Sequence, residues 1–341
     1  MAVETHPATV GPSVGGKNAP TAGSITIVAL RKGKVTETHD GDEVHDILAD
    51  TAARVWIDLT DPSAEVVEAI GKQIGLHPLI AEDIIGSNER AKVELVGDII
   101  HVVMFVLTRT HEMRTLETDF VLGERFLLSV HPAGWDPRSV HQLKLGIEAI
   151  LGRGPDFLLW ALLDGIVDGY FPIFDGYADE IDQVQDDIID DPSKGALQKV
   201  FALKRDLIRL RHVVHPSREI FSRLTSREFD LIGEEQIFYF RDVYDHLIRL
   251  TDEFDSLREL AAGALEVYLS TINNNLSTIM KRLTGITVVL AGIAAIGGLF
   301  GMSEAPAAFS GNEGFGFWAI TIGTLTLASL AVVFLRRIDW I

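Results

Sequence analysis

The chain lacks cysteine altogether and is poor in basic residues. Among its 341 residues there is no Cys, which excludes disulfides, thiolate metal ligands and cysteine nucleophiles. Lys and Arg total 30 against 49 Asp and Glu, so the formal net charge is -19 at pH 7. Nucleic-acid binding needs clusters of Lys and Arg for phosphate contacts, and this charge argues against such a partner. Cations are the natural counterpart of so acidic a chain.

Motifs of common enzyme classes are also missing. The chain has neither a phosphate-binding loop that ends in Gly-Lys-Ser/Thr nor a hydrolase nucleophile motif, so no enzyme is predicted. His212 and His215 have no third ligand nearby and are too few to predict a zinc site. The stretch 154–193 contains no Lys or Arg but eleven Asp or Glu. Two interpretations of these acids stay open, a solvated helix face and a surface that attracts cations.

Two long uncharged runs lie near the C-terminus. Residues 283–303 and 314–335 are each close to the roughly 20 residues that span a bilayer, so two transmembrane helices are predicted. Basic pairs precede the first run and follow the second, whereas the connection 304–313 carries only acids. The positive-inside rule then places both chain ends in the cytoplasm, and the protein in the cell membrane. Residues 1–20 have no apolar core of a signal peptide and read as a disordered tail.

Strand patterns fill the first part of the chain and helix patterns the remainder. We predict a hairpin around Lys32, a buried strand at 55–59, two short helices and then four successive strands with turns at Gly97 and Gly123. The first short helix is expected to be capped at Thr60-Asp61-Pro62 and to end near Gly75. Helices are predicted at 137–152, 156–190, 193–226 and 234–300, the last without a proline.

These patterns define the expected domain organisation. The predicted parts are a disordered tail (1–20), a cytosolic α/β domain (21–135), a cytosolic helical region with an acidic and a basic helix (136–232), a stalk with the first transmembrane helix (233–301, membrane part 283–303), an extracytoplasmic loop (304–313), a second transmembrane helix (314–335) and a basic cytosolic tail (336–341).

One face of the longest predicted helix changes character at the membrane. Steps of three and four residues from Glu266 lead through Asn273, Ser277 and Thr287 to Ala291, so this face is polar below the membrane and small within it. Such a face indicates either tight helix packing or the lining of a pore. Two spans cannot enclose a path for a hydrated ion, so a pore requires several copies in a ring.

Three segments together resemble the CorA-type divalent-cation transport family. They are HPLIAEDI (77–84), FRDVYDH (240–246) and the run VYLSTINNNLSTIMKRLTGITVVLAGIAAIGGLFGMS (267–303). The resemblance implies a homopentamer with a funnel-shaped cytosolic part, a first transmembrane helix that lines the pore and a second that lies outside it. It implies transport of Mg²⁺, sometimes Co²⁺ or Ni²⁺, and of Zn²⁺ in one branch of the family.

The resemblance also implies roles for particular positions. The pore-lining residues would be Glu266, Asn273, Ser277, Met280, Leu283, Thr287 and Ala291. Among them, Met280 and Leu283 would form hydrophobic constrictions that gate by dewetting, and Glu266 an acidic ring near the inner end. Asp83 and Asp242 of neighbouring subunits would bind regulatory Mg²⁺, so that internal Mg²⁺ limits its own entry.

The outer mouth departs from the family pattern. Gly301-Met302-Ser303 stands where the family has Gly-Met-Asn, and the hydroxyls of Ser303 would form a wider and weaker ring around a hydrated ion. Glu304 and Glu313 in the adjoining loop could concentrate cations, or they could be ordinary exposed acids. The small residues of this loop are more similar to the zinc branch.

The expected fold class is therefore an α/β cytosolic N-terminal domain with a long α-helical stalk and two transmembrane α-helices, in a homopentameric CorA-like funnel. The first functional hypothesis is a pore for hydrated Mg²⁺ that is gated by cytosolic Mg²⁺, with Mg²⁺ as both transported and regulatory ion. The second is a transporter of Zn²⁺ or another transition metal, either coupled to protons or not. The third is a membrane-anchored metal sensor that does not conduct.

Overall fold

The computed structural model describes residues 23–87, 90–110, 112–300, 313–338 and 340. It divides into two compact units. The first contains the chain up to Gln183 together with Gln198–Ala262, and the second contains Val184–Leu197 together with the chain from Gly263 onward.

A seven-stranded sheet forms the centre of the first unit. Its strands are β1 (Ser24–Arg31), β2 (Lys34–Thr38), β3 (Arg54–Thr60), β4 (Lys92–Val96), β5 (Ile99–Arg109), β6 (Met113–Leu122) and β7 (Phe126–His131). Their order across the sheet is β2-β1-β3-β7-β6-β5-β4, and only β3 and β7 pair in parallel. The predicted hairpin, buried strand and four successive strands are confirmed. Gly123 is required at its turn because a Cβ there would lie 2.3 Å from the ring of Phe126.

Three short helices contribute to the hydrophobic core of the sheet. They are α1 (Val44–Ala49), α2 (Ala64–Ile74) and α3 (Pro78–Gly86). Ile70 of α2 and Ile80 of α3 belong to one buried cluster with Ile57, Val121 and Leu128 of the strands. This cluster identifies the face of the sheet that carries α1 to α3.

The ends of α2 and α3 show how the sequence starts and stops these helices. The prediction that Thr60-Asp61-Pro62 caps α2 was wrong, because Thr60 still belongs to β3 and Ser63 is the N-cap. Gly75 ends α2 as predicted, in the left-handed conformation with φ of 73° that glycine adopts without strain. The side chain of His77 accepts a hydrogen bond from the backbone N–H of Leu79 and so caps α3.

The helical region differs from the prediction at two breaks. Residues 137–152 do not form one helix, because Gly146 at φ 95° separates two 3₁₀ turns from the short helix α4 (Ile147–Leu151). The acidic stretch forms two helices, α5 (Pro155–Asp168) and α6 (Phe171–Asp190), rather than one. Helix α5 is buried on nearly all sides and contacts the sheet, which explains its apolar sequence.

The remaining helices match their predictions. Helix α7 (Lys194–Leu224) is continuous and contains Pro216. Helix α8 (Ile237–Phe300) is a single helix of 64 residues, and α9 (Glu313–Arg337) covers the second predicted span.

Within the described residues, length and apolar composition alone select two stretches that could cross a membrane, Pro155–Asp190 and Ile237–Leu299. The share of the most apolar window that is buried within the chain is 61% in the first and 6% in the second. The first stretch, helices α5 and α6, is therefore largely core, whereas the apolar part of α8 is mostly exposed in the single chain and suits lipid or other copies of the chain.

Candidate cation sites

The predicted pore-lining residues share one exposed face of α8. At 100° per residue they fall within an arc of about 120°. All of them are exposed in the single chain, namely Glu266, Asn273, Ser277, Met280, Leu283, Thr287 and Ala291. The exposed fraction of the two predicted constriction residues is 59% for Met280 and 56% for Leu283. The hydroxyl of Thr287 donates to the carbonyl oxygen of Leu283 at 2.8 Å, which leaves its oxygen free to accept a further bond.

The opposite face of α8 is partly covered by α9 within the second unit. Gly285 is buried, and Val289 and Ile296 are half-buried on that side. An apolar cavity of about 350 Å³ lies between this side and α9, lined by Val289 and Ile296 from α8 and by Leu327 and others from α9. The second predicted span thus packs behind the polar stripe and leaves the stripe itself uncovered.

The predicted outer mouth cannot be compared with the structure. Gly301, Met302, Ser303 and Glu304 lie outside the described residues, and Glu313 is the first residue of α9. Their roles stay predictions.

Asp83 lies on α3 in an ion-pair cluster of its own chain. The ammonium group of Lys92 is 2.5 Å from a carboxylate oxygen of Asp83 and 2.8 Å from one of Glu94. Partial burial lowers the pKa of Lys92, but the bonds to these two carboxylates outweigh it and raise the pKa above its usual value. A single chain therefore already supplies one positive charge to Asp83.

Asp242 lies on α8 and is largely exposed, with 74% of its side chain accessible. His246 lies one turn further along the helix, and its Nε2 is 3.8 Å from a carboxylate oxygen of Asp242. Among the described ion pairs and hydrogen bonds of one chain, none joins Asp83 to Asp242. The predicted pairing of these two residues is one between neighbouring copies, so a single chain does not test it.

Two acids that sequence reasoning missed lie next to Asp242. Asp164 and Asp168 are one turn apart on α5, and each offers an oxygen within 4.8 Å of the other and of a ring nitrogen of His246. The amide nitrogen of Gln142 donates to Asp164 at 2.5 Å and to Asp168 at 3.1 Å. The i, i+4 spacing of two carboxylates on an otherwise apolar helix was the signal that could have revealed them.

The electrostatics of this cluster favour an added cation. Burial, followed by the charge of Asp168, raises the pKa of Asp164 from 3.8 to about 6. One carboxylate oxygen of Asp164 and Nδ1 of His246 are buried without a hydrogen-bond partner in the part of the chain that the structure describes. Carboxylate and amide oxygens are the ligands that Mg²⁺ and Ca²⁺ prefer. The arrangement can thus hold a hard divalent cation, although its ligand set is incomplete within one chain.

A second polar network contains Ser, His and Asp but has no catalytic arrangement. Ser129 donates its hydroxyl to Asp58 and accepts from the indole of Trp56 at 2.8 Å. His131 Nε2 lies 3.4 Å from a carboxylate oxygen of Asp58. All four side chains are buried, and the serine is bonded to the acid rather than to the histidine. In a nucleophilic triad the serine hydroxyl donates a hydrogen bond to the histidine. This network lacks that bond and is structural.

Comparison with known proteins identifies the family. Residues 52–337 match the model of the CorA-like Mg²⁺ transporter protein family. The chain belongs to this family. It is thus a divalent-cation transporter of the CorA-like family of membrane proteins rather than an enzyme, as the sequence predicted.

Individual relatives support the assignment over nearly the full length. The cobalt/magnesium transport protein CorA of Thermotoga maritima is 31% identical over 86% of this chain and 85% of its own length. The protein of the same name from Methanocaldococcus jannaschii is 23% identical and covers 93% of this chain and 100% of its own. The zinc transport protein ZntB of Cronobacter sakazakii is 22% identical over 87% of this chain and 90% of its own.

Solved CorA-like structures confirm the fold. The complete CorA magnesium transporter of Methanocaldococcus jannaschii aligns with a TM-score of 0.73 at 20% identity, over 93% of this chain and 98% of that one. The cytoplasmic domain of ZntB from Vibrio parahaemolyticus aligns with a TM-score of 0.53 at 12% identity, over 74% of this chain and 100% of that one. The CorA-like fold of the chain, with its α/β N-terminal domain and long helix, is confirmed, whereas the expected homopentamer is not tested by a single chain.

Proposed function

We propose that the chain forms a homopentameric pore for hydrated divalent cations in the cell membrane, with Mg²⁺ as its main substrate and Co²⁺ or Ni²⁺ as further ones. The observation that carries this proposal is the stripe on α8, exposed along its length while α9 packs behind it. A ring of copies with this face inward would enclose a path lined by hydroxyl, amide and small apolar groups. Relatives named as magnesium or cobalt/magnesium transporters support the choice of ion.

The stripe would divide the path into segments with different tasks. Glu266 and Asn273 would attract and orient hydrated ions at the cytoplasmic end, where carboxylates and amides can bond to metal-bound water. Met280 and Leu283 would form apolar rings that close the pore by dewetting. Thr287 and Ala291 would line the membrane part. The mouth would consist of Gly301, Met302 and Ser303, followed by the loop acids Glu304 and Glu313.

Cytosolic Mg²⁺ would hold the ring closed through acids between neighbouring cytosolic units. Asp83 of one copy and Asp242 of the next would share a hydrated Mg²⁺ in this proposal. Asp164 and Asp168 add one buried and one exposed carboxylate beside Asp242 within the same chain, connected through His246. Without the cation, these carboxylates repel one another and favour separation of the copies, so loss of internal Mg²⁺ would open the pore.

Flux into liposomes that contain the full-length protein tests both parts of the proposal. Internal Mg²⁺ should inhibit Mg²⁺ entry into wild-type liposomes, and Asp242→Ala or Asp83→Ala should weaken that inhibition. Asp245→Ala is a matched control, because Asp245 is also an exposed acid of α8, three residues along the helix. Unchanged inhibition in both variants would contradict the regulatory role of Asp83 and Asp242. Absence of flux for every divalent cation would contradict the proposed pore.

A Zn²⁺ transporter is the second candidate. It is favoured by the ZntB relative and by Ser303 in place of the asparagine that CorA-type sequences have. Zn²⁺ flux that is unaffected by Mg²⁺ would support this candidate against the first, and a chain that binds metal without flux would be a sensor. Ser303→Asn should raise Mg²⁺ flux relative to Zn²⁺ flux if the outer ring selects the ion. An unchanged flux ratio would show that selection lies elsewhere.

A further inference from the structure

A histidine is buried in the middle of strand β5, where the neighbouring residues are apolar. The side chain of His101 has no accessible surface. Its Nε2 lies 2.8 Å from a carboxylate oxygen of Asp119, which is itself almost fully buried. Its Nδ1 is buried and has no hydrogen-bond partner among the residues that the structure describes. A buried polar atom without a partner destabilises the fold, so this nitrogen is available to bind a ligand.

Strand pairing and α3 bring two carboxylates to this histidine. Glu94 of β4 is directly opposite His101 in the antiparallel register, so both side chains lie on the same face of the sheet. Asp83 reaches the same place from α3. One oxygen of each carboxylate and one ring nitrogen of His101 lie within 4.8 Å of one another. The unpaired Nδ1 is the ring nitrogen available to such a group, because Asp119 occupies Nε2.

The chemistry of this group is that of a transition-metal site. We propose that Asp83, Glu94 and His101 of one chain bind a divalent transition cation of the Zn²⁺ or Co²⁺ class, with Asp119 as a positioning residue. Imidazole nitrogen suits Zn²⁺ and Co²⁺, whereas Mg²⁺ prefers a shell of oxygen ligands only. A histidine that ligates a metal commonly donates its other ring N–H to a carboxylate, which fixes the ring and its tautomer. Asp119 provides such a carboxylate.

In the structure, the ammonium group of Lys92 occupies the position proposed for the metal ion. Its ammonium group contacts Asp83 and Glu94, and 22% of its side chain is exposed, so it can swing out to solvent along its flexible stem. Ligand atoms of a tetrahedral zinc site are about 3.4 Å apart. The ligand atoms of this group lie within 4.8 Å of one another, so they need to approach by at most about 1.4 Å when a metal replaces the ammonium. The side chains of Asp83 and Glu94 are 38% and 48% exposed, which leaves them room to move and gives the ion a route in.

This site is separate from the pore and adds ligands that the proposed Mg²⁺ site lacks. It shares Asp83 with that site, but Glu94 and His101 play no part in the proposed transport mechanism. The inference therefore does not rest on flux. A chain that carries no Mg²⁺ could still bind Zn²⁺ here, and a chain that transports Mg²⁺ could fail to do so.

Calorimetric titration of the detergent-solubilised full-length protein with Zn²⁺, in a constant background of Mg²⁺, tests the proposal. Wild type should bind Zn²⁺, and His101→Asn or Glu94→Gln should weaken that binding at least tenfold. Asp98→Asn is the matched control, because it removes an exposed acid in the turn between the same two strands. Lys92→Met should tighten binding, since the competing ammonium is gone.

Glu94→Gln keeps the test independent of folding. Loss of the buried His101 could unfold the sheet, but Glu94 is half-exposed and its replacement leaves the core intact. Weaker Zn²⁺ binding in Glu94→Gln, with unchanged thermal unfolding and an unchanged Asp98→Asn control, would support the site. Absence of Zn²⁺ binding by wild type would overturn the proposal, and so would equal affinity in wild type and Glu94→Gln.

Discussion

Replacing Asp164 with Asn should stabilise the protein at neutral pH in the absence of divalent cations. The pKa of Asp164 is raised from 3.8 to about 6 in the folded chain, so its charged form is disfavoured there. Protonated Asp164 therefore stabilises the fold, and this contribution is fully present below the unfolded pKa and is lost as the pH rises through about 6. The advantage of Asn over the wild-type residue appears over the same range as the pH rises. Two pKa units correspond to about 3 kcal/mol, and residual solvent screening reduces this to about 2 kcal/mol. Asn preserves the acceptor for Gln142 and carries no charge.

Thermal unfolding of the full-length protein in detergent with EDTA measures this difference. A change of 2 kcal/mol raises the unfolding temperature by about 4–8 °C for a domain of 150–250 residues. We expect Asp164→Asn to unfold at a higher temperature than wild type at pH 7.5, with the difference shrinking by pH 5. Asp182→Asn is the control, because Asp182 is an exposed acid on α6 and its removal should change little.

Added Mg²⁺ connects this result to the proposed regulation. A cation beside Asp164 stabilises its charged form, so Mg²⁺ should raise the unfolding temperature of wild type more than that of Asp164→Asn. The reasoning is refuted if the variant is less stable than wild type at pH 7.5 with EDTA. It is equally refuted if the gap between them is the same at pH 5.

Two further predictions concern the sheet and the stripe. Burial lowers the pKa of His131, but the hydrogen bond and the charge of Asp58 outweigh burial and raise the pKa above its usual value. The pair therefore stabilises the fold fully below about pH 6.5, and this stabilisation is lost as the pH rises through the raised pKa. Asp58→Asn should remove that part of the pH dependence of thermal unfolding, and an unaltered profile would contradict the assignment. Because the chain contains no cysteine, Thr287→Cys should form disulfide-linked dimers on oxidation when the stripe lines a ring, whereas Ile296→Cys, which faces α9, should not. Equal cross-linking of both variants would count against an inward stripe.

Local sequence signals predicted most elements of the fold. Alternating apolar residues between Gly97 and Gly123 identified the strands, because each side-chain period and each turn is encoded within a few residues. The absence of proline predicted that α8 is one helix. The predicted helix at 137–152 failed because Gly146 at φ 95° interrupts it, and a glycine inside an apolar pattern does not reveal its backbone angle. The order of the strands and the parallel pairing of β3 with β7 also lay beyond local patterns.

The candidate sites also differ in whether local sequence patterns or long-range contacts determine them. The stripe on α8 follows from helical periodicity alone, so the sequence sufficed to find it. Asp164 and His246 are 82 residues apart, and His101 and Asp83 meet only because α3 lies on the face of the sheet to which β5 directs its histidine. A polar residue within an apolar strand is visible in the sequence, but its partners depend on strand register and helix packing.

A basic side chain lies within each of the two acid clusters described in the first unit, Lys92 in one and His246 in the other. Each cluster contains a basic group that contacts one or more of its carboxylates, Lys92 at Asp83 and Glu94, and His246 between Asp168 and Asp242. The clusters differ in what a cation would replace. At Asp83 a full positive charge must leave, which favours a tightly bound ion with a nitrogen ligand. At Asp164 a cation would displace only a proton or the neighbouring imidazole, which suits the hydrated, readily exchanging Mg²⁺ of the proposed regulation.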